Sequence, residues 1–396
     1  MLKLSNFFSI SLENFVNKIF DQTQYGSLLV YFPSGQLKIY KGNKEGVNAD
    51  IKFNNFLVVS KFLKKGPVGF AESYMDEDFT TTNLKNLLIF TEINKSCYLD
   101  FQKGNWFYRF VSKAGHYLNQ NTISKSKKNI SYHYDLGNRF YELWLDESMT
   151  YSSGFFELNS DNLLNAQINK YKKIIEPMNL NENSKILEIG CGWGGFSSYV
   201  AKKFGSKIDA ITISKEQFEY TLKKIYKEGL NEKVKVYLQD YRDINNKYDK
   251  IVSIEMFEAV GIKYWPVYFR KIKNSLKDNG IAALQIITIN EKKRKYYQNN
   301  PDFIQQYIFP GGVLPSKKQL YQLTENLGFK LFEINSFGKS YANTLNLWNE
   351  QFQNEWNQIA EQGYSKRFKR MWEYYLSYCE AGFLTKATDV SHFLLK

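Results

Sequence analysis

The stretch Glu188-Ile-Gly-Cys-Gly-Trp-Gly-Gly195 sets a carboxylate two residues ahead of four closely spaced glycines. Glycines let a backbone approach a ligand closely, and a following helix N-terminus offers free N–H groups. No basic residue lies in this turn to meet a pyrophosphate. A carboxylate at the strand end suits a cationic ligand better, such as the amino group of S-adenosylmethionine. The plainer alternative is a tight turn with no ligand. It is disfavoured because one strand–helix turn rarely needs so many glycines.

These residues need a strand before them and a helix after them. Lys185–Ile189 is short and apolar and reads as a buried strand. Residues 196–204 carry Phe196, Val200, Ala201 and Phe204 at helical spacing. Beyond the loop the pattern alternates. Strands are expected at 208–213, 234–238, 251–256, 281–289 and 329–334, with helices at 215–228 and 265–276. That alternation predicts an α/β fold with a doubly wound, mostly parallel sheet. A helical insert at 290–315 holds Lys292-Lys-Arg-Lys-Tyr-Tyr297, residues 342–383 read as helical, and 389–395 reads as a closing edge strand. A helix at about 162–176, ended by Pro177, leads into the glycine loop.

Upstream the character changes. Residues 1–20 are amphipathic and helical in period. Residues 27–32 and 36–40, split by Pro33-Ser-Gly35, predict a hairpin. A further strand is expected at 50–59, a turn-rich acidic stretch at 64–79 and a helix at 83–90. The chain thus divides into a small N-terminal α+β domain at 1–118, facing lipid or a partner, a polar basic linker at 119–130, and a catalytic domain at 131–396.

The chain of 396 residues has a formal net charge of +13 and a pI near 9.2. Such a balance favours anionic lipid or nucleic acid, or reflects Lys/Asn-biased composition alone. No apolar run approaches the roughly 18 residues that span a bilayer, and no signal peptide is expected. Three scattered cysteines suit a reducing cytoplasm and show no metal spacing.

Several blocks together resemble the cyclopropane-fatty-acyl-phospholipid synthases, with the mycolic acid cyclopropane synthases as relatives. They are YHYDLGNRFYELWLDESMTYSSGFF, KILEIGCGWGGFS, AITISKEQ, SIEMFEAVG, FPGGVLPS, SYANTLNLW and YYLSYCEAGF, in family order from residue 131. The glycine loop alone matches any class I methyltransferase; the lead-in block and FPGGVLPS are more specific. The first 110 residues look like the extra domain of the phospholipid-acting bacterial members. The resemblance implies a class I methyltransferase fold with a Rossmann-like sheet. It also implies S-adenosylmethionine as donor and the double bond of a membrane phospholipid acyl chain as acceptor. Glu188, Gly190 and Gly192 would then hold the methionine part, Thr212 and Gln217 the ribose, and Asp240 and Tyr241 the adenine. Tyr151 and Ser152 would close over the cofactor.

Methyl transfer to an alkene leaves a carbocation, which aromatic faces can stabilise. A base must then take a proton from the new methyl group. The family's expected base is a bound bicarbonate, held by Cys, Glu, His, Tyr and a backbone amide. Glu258, Tyr341 and the amide of Ile287 match that set. Ser153 and Gln285 stand in the Cys and His places, and both can still donate hydrogen bonds. Without bicarbonate, loss of another proton would give a methyl- or methylene-branched chain. Cys379 matches a cysteine treated as catalytic in the family; the plainer reading is a buried structural thiol. The implied setting is the cytoplasm, with the enzyme held peripherally on the anionic inner face of the membrane, without nucleic acid; a homodimer is left open. A lipid- or nucleic-acid-binding protein with a vestigial cofactor fold is the competing class. The intact glycine loop, Glu258 and Tyr341 argue against it.

Overall fold

The computed structural model describes residues 12–98 and 136–396, residue 159 excepted. The first part of the N-terminal amphipathic stretch, the 118 boundary and the 119–130 linker lie outside the described residues.

A helix through residues 12–20 precedes a four-stranded sheet of order β2-β1-β3-β4. The expected hairpin is there: β1 (Tyr25–Tyr31) pairs antiparallel with β2 (Leu37–Lys41). β3 (Lys44–Phe53) runs parallel to β1, and β4 is the short Phe79–Thr80. The strand expected at 50–59 therefore ends at Phe53, and 57–65 is helical. The turn-rich reading of 64–79 is also corrected, because Pro67–Met75 is a helix. Gly66, at φ 58, ends the first helix by donating its N–H to Phe62 O. Pro67 then opens the second, where its fixed φ suits a helix start and its missing N–H costs nothing. Leu84–Ile93 follows, capped by the side chain of Asn83.

The second sheet has seven strands in the order β10-β11-β9-β8-β5-β6-β7. β5 (Lys185–Ile189), β6 (Lys207–Thr212), β7 (Val234–Leu238), β8 (Tyr248–Ile254) and β9 (Leu276–Ile289) are all parallel. Its centre is apolar on both faces, as a parallel sheet covered by helices must be; Ile186, Leu187, Ile251 and Val252 are all fully buried. The chain order reverses between β5 and β8, and the crevice at that switch is where such sheets bind ligands. The closing strand is not an edge. β11 (Thr388–Leu395) lies antiparallel between β9 and β10 (Leu331–Ser336), and β10 takes the edge. Burial explains the order. Val390, Phe393 and Leu395 of β11 are fully buried, while Phe332 of β10 is 47% exposed.

The 290–315 insert is only partly helical: Glu291–Asn299 is a helix and Ile304–Ile308 a single π-helical turn. The C-terminal helices Gly338–Asn354 and Lys366–Leu384 pack on each other, and the second also packs on Pro67–Met75 and Leu84–Ile93. One buried apolar cluster runs from β1 through Phe140, Trp144, Trp348 and Trp372 to Phe383. Edge-to-face ring pairs hold it, including Phe140–Trp372 at 5.0 Å and Trp144–Trp348 at 5.7 Å between centroids. Polar contacts join the same surfaces. Lys85 Nζ is 2.9 Å from Glu380, and the Arg370 guanidinium sits 3.9 Å from the Tyr74 ring centroid. Among the described residues no helix is long and apolar enough to cross a membrane.

Candidate active site

The glycine turn leaves β5 with positive φ at Gly190 (84°), Gly192 (53°) and Gly194 (79°). Gly190 and Cys191 both donate to Ile211 O at 3.0 Å, which pins the turn to β6. A Cβ on Gly192 would meet nothing within 4 Å, so its backbone faces open space. Glu188 is buried and accepts from the Ser197 hydroxyl. Burial lifts its carboxyl to about 8, against the pull of Ser197 and the positive charge of Lys170. A cationic group arriving beside it would offset that cost.

Around the turn, Thr212 Oγ1 donates to Gln217 Oε1 at 2.9 Å. Asp240 is held by Arg242 through a bidentate pair at 2.8 and 2.6 Å. The Tyr151 and Tyr375 hydroxyls share a hydrogen bond of 2.7 Å. Ser152 Oγ accepts from Lys170 Nζ at 2.7 Å. Lys170 lies fully inside the protein, and burial pulls its pKa down despite the carboxylates of Glu255, Asp146 and Glu188. Every residue expected to touch the cofactor lines a single cavity of about 880 Å³: Tyr151, Ser152, Glu188, Gly190, Gly192, Thr212, Gln217, Asp240 and Tyr241.

The residues expected around a bound anion also converge, but on a glutamate that the sequence did not single out. Glu255, directly after β8, accepts from Ser153 N at 2.9 Å, from Gln285 Nε2 at 2.6 Å and from the Tyr341 hydroxyl at 2.6 Å. Burial raises its pKa, opposed by Tyr341, the Ser153 N–H, Lys170 and Gln285. Glu258, the expected member, does not join Ser153, Gln285 and Tyr341. It accepts from Ile287 N at 2.5 Å, and its other oxygen is buried without a partner among the described residues. Burial, then the nearby Glu255 charge, lift Glu258 to about 8. The Ser153 contribution also differs from expectation: its hydroxyl donates to Gly154 O, and only its backbone N–H reaches Glu255.

Register explains the exchange. β8 and β9 pair Ile254 with Gln285, so the next residue, 255, lands beside Gln285, and Glu255 N donates to Gln285 O at 2.9 Å. Glu258 sits one 3₁₀ turn further on, opposite Ile287. The available signal was the first carboxylate of SIEMFEAVG, at the C-terminal end of a central strand, where α/β sheets place their ligands. His392, also missed, backs Gln285: its Nε2 lies 2.9 Å from Gln285 Oε1 inside the core. Burial drops its pKa to about 3, so the ring is neutral.

Cys379 lines the cavity, and burial pushes its thiol well up, which disfavours the thiolate that a reactive cysteine needs. From Glu255, Glu258, Ile287 and Tyr341 the cavity continues past Tyr375, Tyr378 and Phe309. It reaches Val58, Val59, Phe62 and Pro67 of the N-terminal helices. The arrangement therefore joins a nucleoside-type loop, a hydrogen-bonded carboxylate and an apolar arm with aromatic walls. Among the described residues no group of three His, Cys, Asp or Glu side chains could hold a metal ion.

The family model for mycolic acid cyclopropane synthetase matches residues 121–393. The chain is 38% identical over 344 residues to the cyclopropane-fatty-acyl-phospholipid synthase of Escherichia coli K12, covering 86% of each. It is 33% identical over 341 residues to the tuberculostearic acid methyltransferase UfaA1 of Mycobacterium tuberculosis, covering 84% of this chain and 79% of that one. Among solved structures, mycolic acid cyclopropane synthase CmaA1 in complex with SAH and CTAB superposes with a TM-score of 0.64 at 28% identity, over 68% of this chain and 97% of that one. The cyclopropane synthase MmaA2 from M. tuberculosis gives 0.63 at 27%, with the same coverage.

Proposed function

This chain belongs to the mycolic acid cyclopropane synthetase family, and from that membership we propose its reaction: transfer of a methylene from S-adenosylmethionine to the cis double bond of an unsaturated phospholipid acyl chain, closing a cyclopropane ring. The observation that carries the proposal is the single cavity. It joins the Gly190–Gly195 turn to a hydrogen-bonded carboxylate and then to an apolar arm.

The turn fits an S-adenosyl ligand. Gly192 presents bare backbone to open space, and the buried Glu188 carboxyl lines the same cavity. Glu188, Gly190 and Gly192 would hold the amino-acid end, Thr212 and Gln217 the ribose, and Asp240 and Tyr241 the base, with Tyr151 and Ser152 closing over it. When bound, S-adenosylmethionine supplies an electrophilic methyl group. The chain's residues do the rest. The apolar arm binds the acyl chain and excludes water. The rings of Tyr341 and Tyr375 line the cavity and would stabilise a cation on that chain without capturing it, at about 0.5–2 kcal/mol per ring. Carboxylates at Glu255 and Glu258 stand at the turn between the two arms.

We further propose that the N-terminal helices form the lipid-facing part of the molecule and that the net charge of +13 draws it to an anionic bilayer surface. Val58, Val59, Phe62 and Leu63 lining the cavity support the first point. The basic insert is not simply a membrane contact: Lys293 pairs with Glu92, and Lys95 Nζ stands 5.3 Å over the Tyr296 ring. The test is incubation of the full chain with S-adenosylmethionine and vesicles of cis-unsaturated phosphatidylglycerol, followed by proton NMR of the extracted lipid. Ring-methylene protons are expected. Release of S-adenosylhomocysteine with a methyl- or methylene-branched chain and no ring protons would refute the ring-forming assignment.

A further inference from the structure

We propose that the carboxylate of Glu255 is the chain's own proton acceptor for ring closure, occupying the place where the family resemblance leads one to expect a bound bicarbonate. This inference rests on the ring-forming reaction proposed above.

The donors expected to hold an external anion are already taken: Gln285 and Tyr341 by Glu255, the Ile287 amide by Glu258, and the Ser153 hydroxyl by Gly154 O. Glu255 Oε1 receives Ser153 N at 2.9 Å and Gln285 Nε2 at 2.6 Å, and Oε2 receives the Tyr341 hydroxyl at 2.6 Å. Each carboxylate oxygen can accept two hydrogen bonds, so Oε1 is filled while Oε2 keeps one acceptor site. Glu255 lines the cavity, whereas Ser153 and Gln285 are fully buried. The carboxylate thus stands between its donors and the space proposed for substrate.

Two further features indicate that this carboxylate is built in. Glu255 has a φ of 50, a left-handed conformation that glycine tolerates and other side chains rarely adopt. Backbone strain of this kind persists where the surrounding structure enforces it, often at active sites. Gln285 is also oriented. His392 Nε2, neutral and buried, meets Gln285 Oε1 at 2.9 Å, so the amide nitrogen turns toward Glu255. Lys170, buried behind Ser152, favours the ionised form of Glu255 when it carries its proton. A protein carboxylate here needs no exchange with solvent carbonate, and it is held in place before substrate arrives.

The step balances as follows. The alkene π electrons form a carbon–carbon bond to the methyl carbon as its bond to sulfur breaks, the pair remaining on sulfur. The other alkene carbon is left cationic. A C–H bond of the new methyl group then breaks toward Glu255 Oε2, and its electron pair forms the last ring bond. The proton remains on Glu255 until solvent removes it.

The test uses the full chain with vesicles of dioleoyl-phosphatidylglycerol in buffer stripped of carbon dioxide, with and without added bicarbonate. Wild-type turnover is expected to change by less than about twofold. Glu255→Gln should lower it by ~10²-fold or more, the usual scale for a positioned proton acceptor. Glu255→Gly suits the left-handed backbone and leaves a carboxylate-sized space among the same donors. It should keep S-adenosylhomocysteine affinity by calorimetry, lose turnover, and regain part of it with added formate or bicarbonate. A wild type that needs bicarbonate would overturn the proposal, as would Glu255→Gln turnover within about threefold of wild type. Failure of formate and bicarbonate to rescue a Glu255→Gly protein that binds S-adenosylhomocysteine would also count against it. A wild type that forms no ring in either buffer would refute the functional reading itself, a result distinct from an active wild type with an active Glu255→Gln.

Discussion

Glu258→Gln is expected to stabilise the ligand-free protein at alkaline pH. Burial and the neighbouring Glu255 charge lift the Glu258 carboxyl to about 8, far above its unfolded value near 4.5. For an acid raised in this way the folded state holds a proton that the unfolded chain has released. The stability it contributes is full below about pH 4.5 and is lost as pH rises through about 8. At about 1.4 kcal/mol per pH unit, this one group removes roughly 3 kcal/mol between pH 5.5 and 8. Interaction with Glu255 spreads part of that over both carboxyls, so about 2 kcal/mol is a reasonable target for the variant. Glutamine keeps the oxygen that accepts from Ile287 N and never ionises. Thermal midpoints of both proteins should therefore differ little at pH 5.5 and diverge toward pH 8, with the variant higher. A difference that is the same at both values, or a less stable variant at pH 8, would refute the buried-carboxyl argument. Turnover should fall by no more than ~10-fold, because in this geometry Glu258 positions a backbone while Glu255 faces the donors.

Gly192→Val should abolish S-adenosylhomocysteine binding in calorimetry with only about 1–3 kcal/mol of folding cost. The new side chain enters open space, but at a φ that a branched residue resists. Arg370→Met should destabilise the protein by about 2 kcal/mol in urea melts, because it removes the charge over the Tyr74 ring and the donor to Phe79 O at 3.1 Å. His392→Phe should leave S-adenosylhomocysteine affinity unchanged but lower kcat more than KM, since Gln285 loses its orienting partner at 2.9 Å. Binding to phosphatidylglycerol vesicles should exceed binding to phosphatidylcholine in sedimentation at low salt and weaken by 0.5 M salt, where the Debye length falls to roughly 4 Å.

Much of the local architecture is legible in the sequence because it depends on neighbours in the chain. The run Lys185–Ile189 must be a buried strand, the glycines after it must turn with positive φ, and Phe196 to Phe204 must present one apolar face. The strand β7 falls where its alternation places it, at Val234–Leu238. The residues expected at the cofactor loop line one cavity because a doubly wound sheet brings the ends of β5, β6 and β7 to one side. What chain neighbours could not decide is pairing. Two glutamates stand three residues apart in SIEMFEAVG, and the motif match singles out only Glu258. The pairing of Ile254 with Gln285 makes Glu255 the partner of Ser153, Gln285 and Tyr341, and leaves Glu258 to Ile287. Likewise β11 reads as an edge strand, but its buried Val390, Phe393 and Leu395 require cover on both sides, which β9 and β10 provide. His392, at the end of the chain, reaches Gln285 only through that same pairing. Residue types and local spacing specify most of the elements that form; hydrogen-bond register between strands distant in sequence determines which of the two cavity-lining carboxyls meets Ser153, Gln285 and Tyr341.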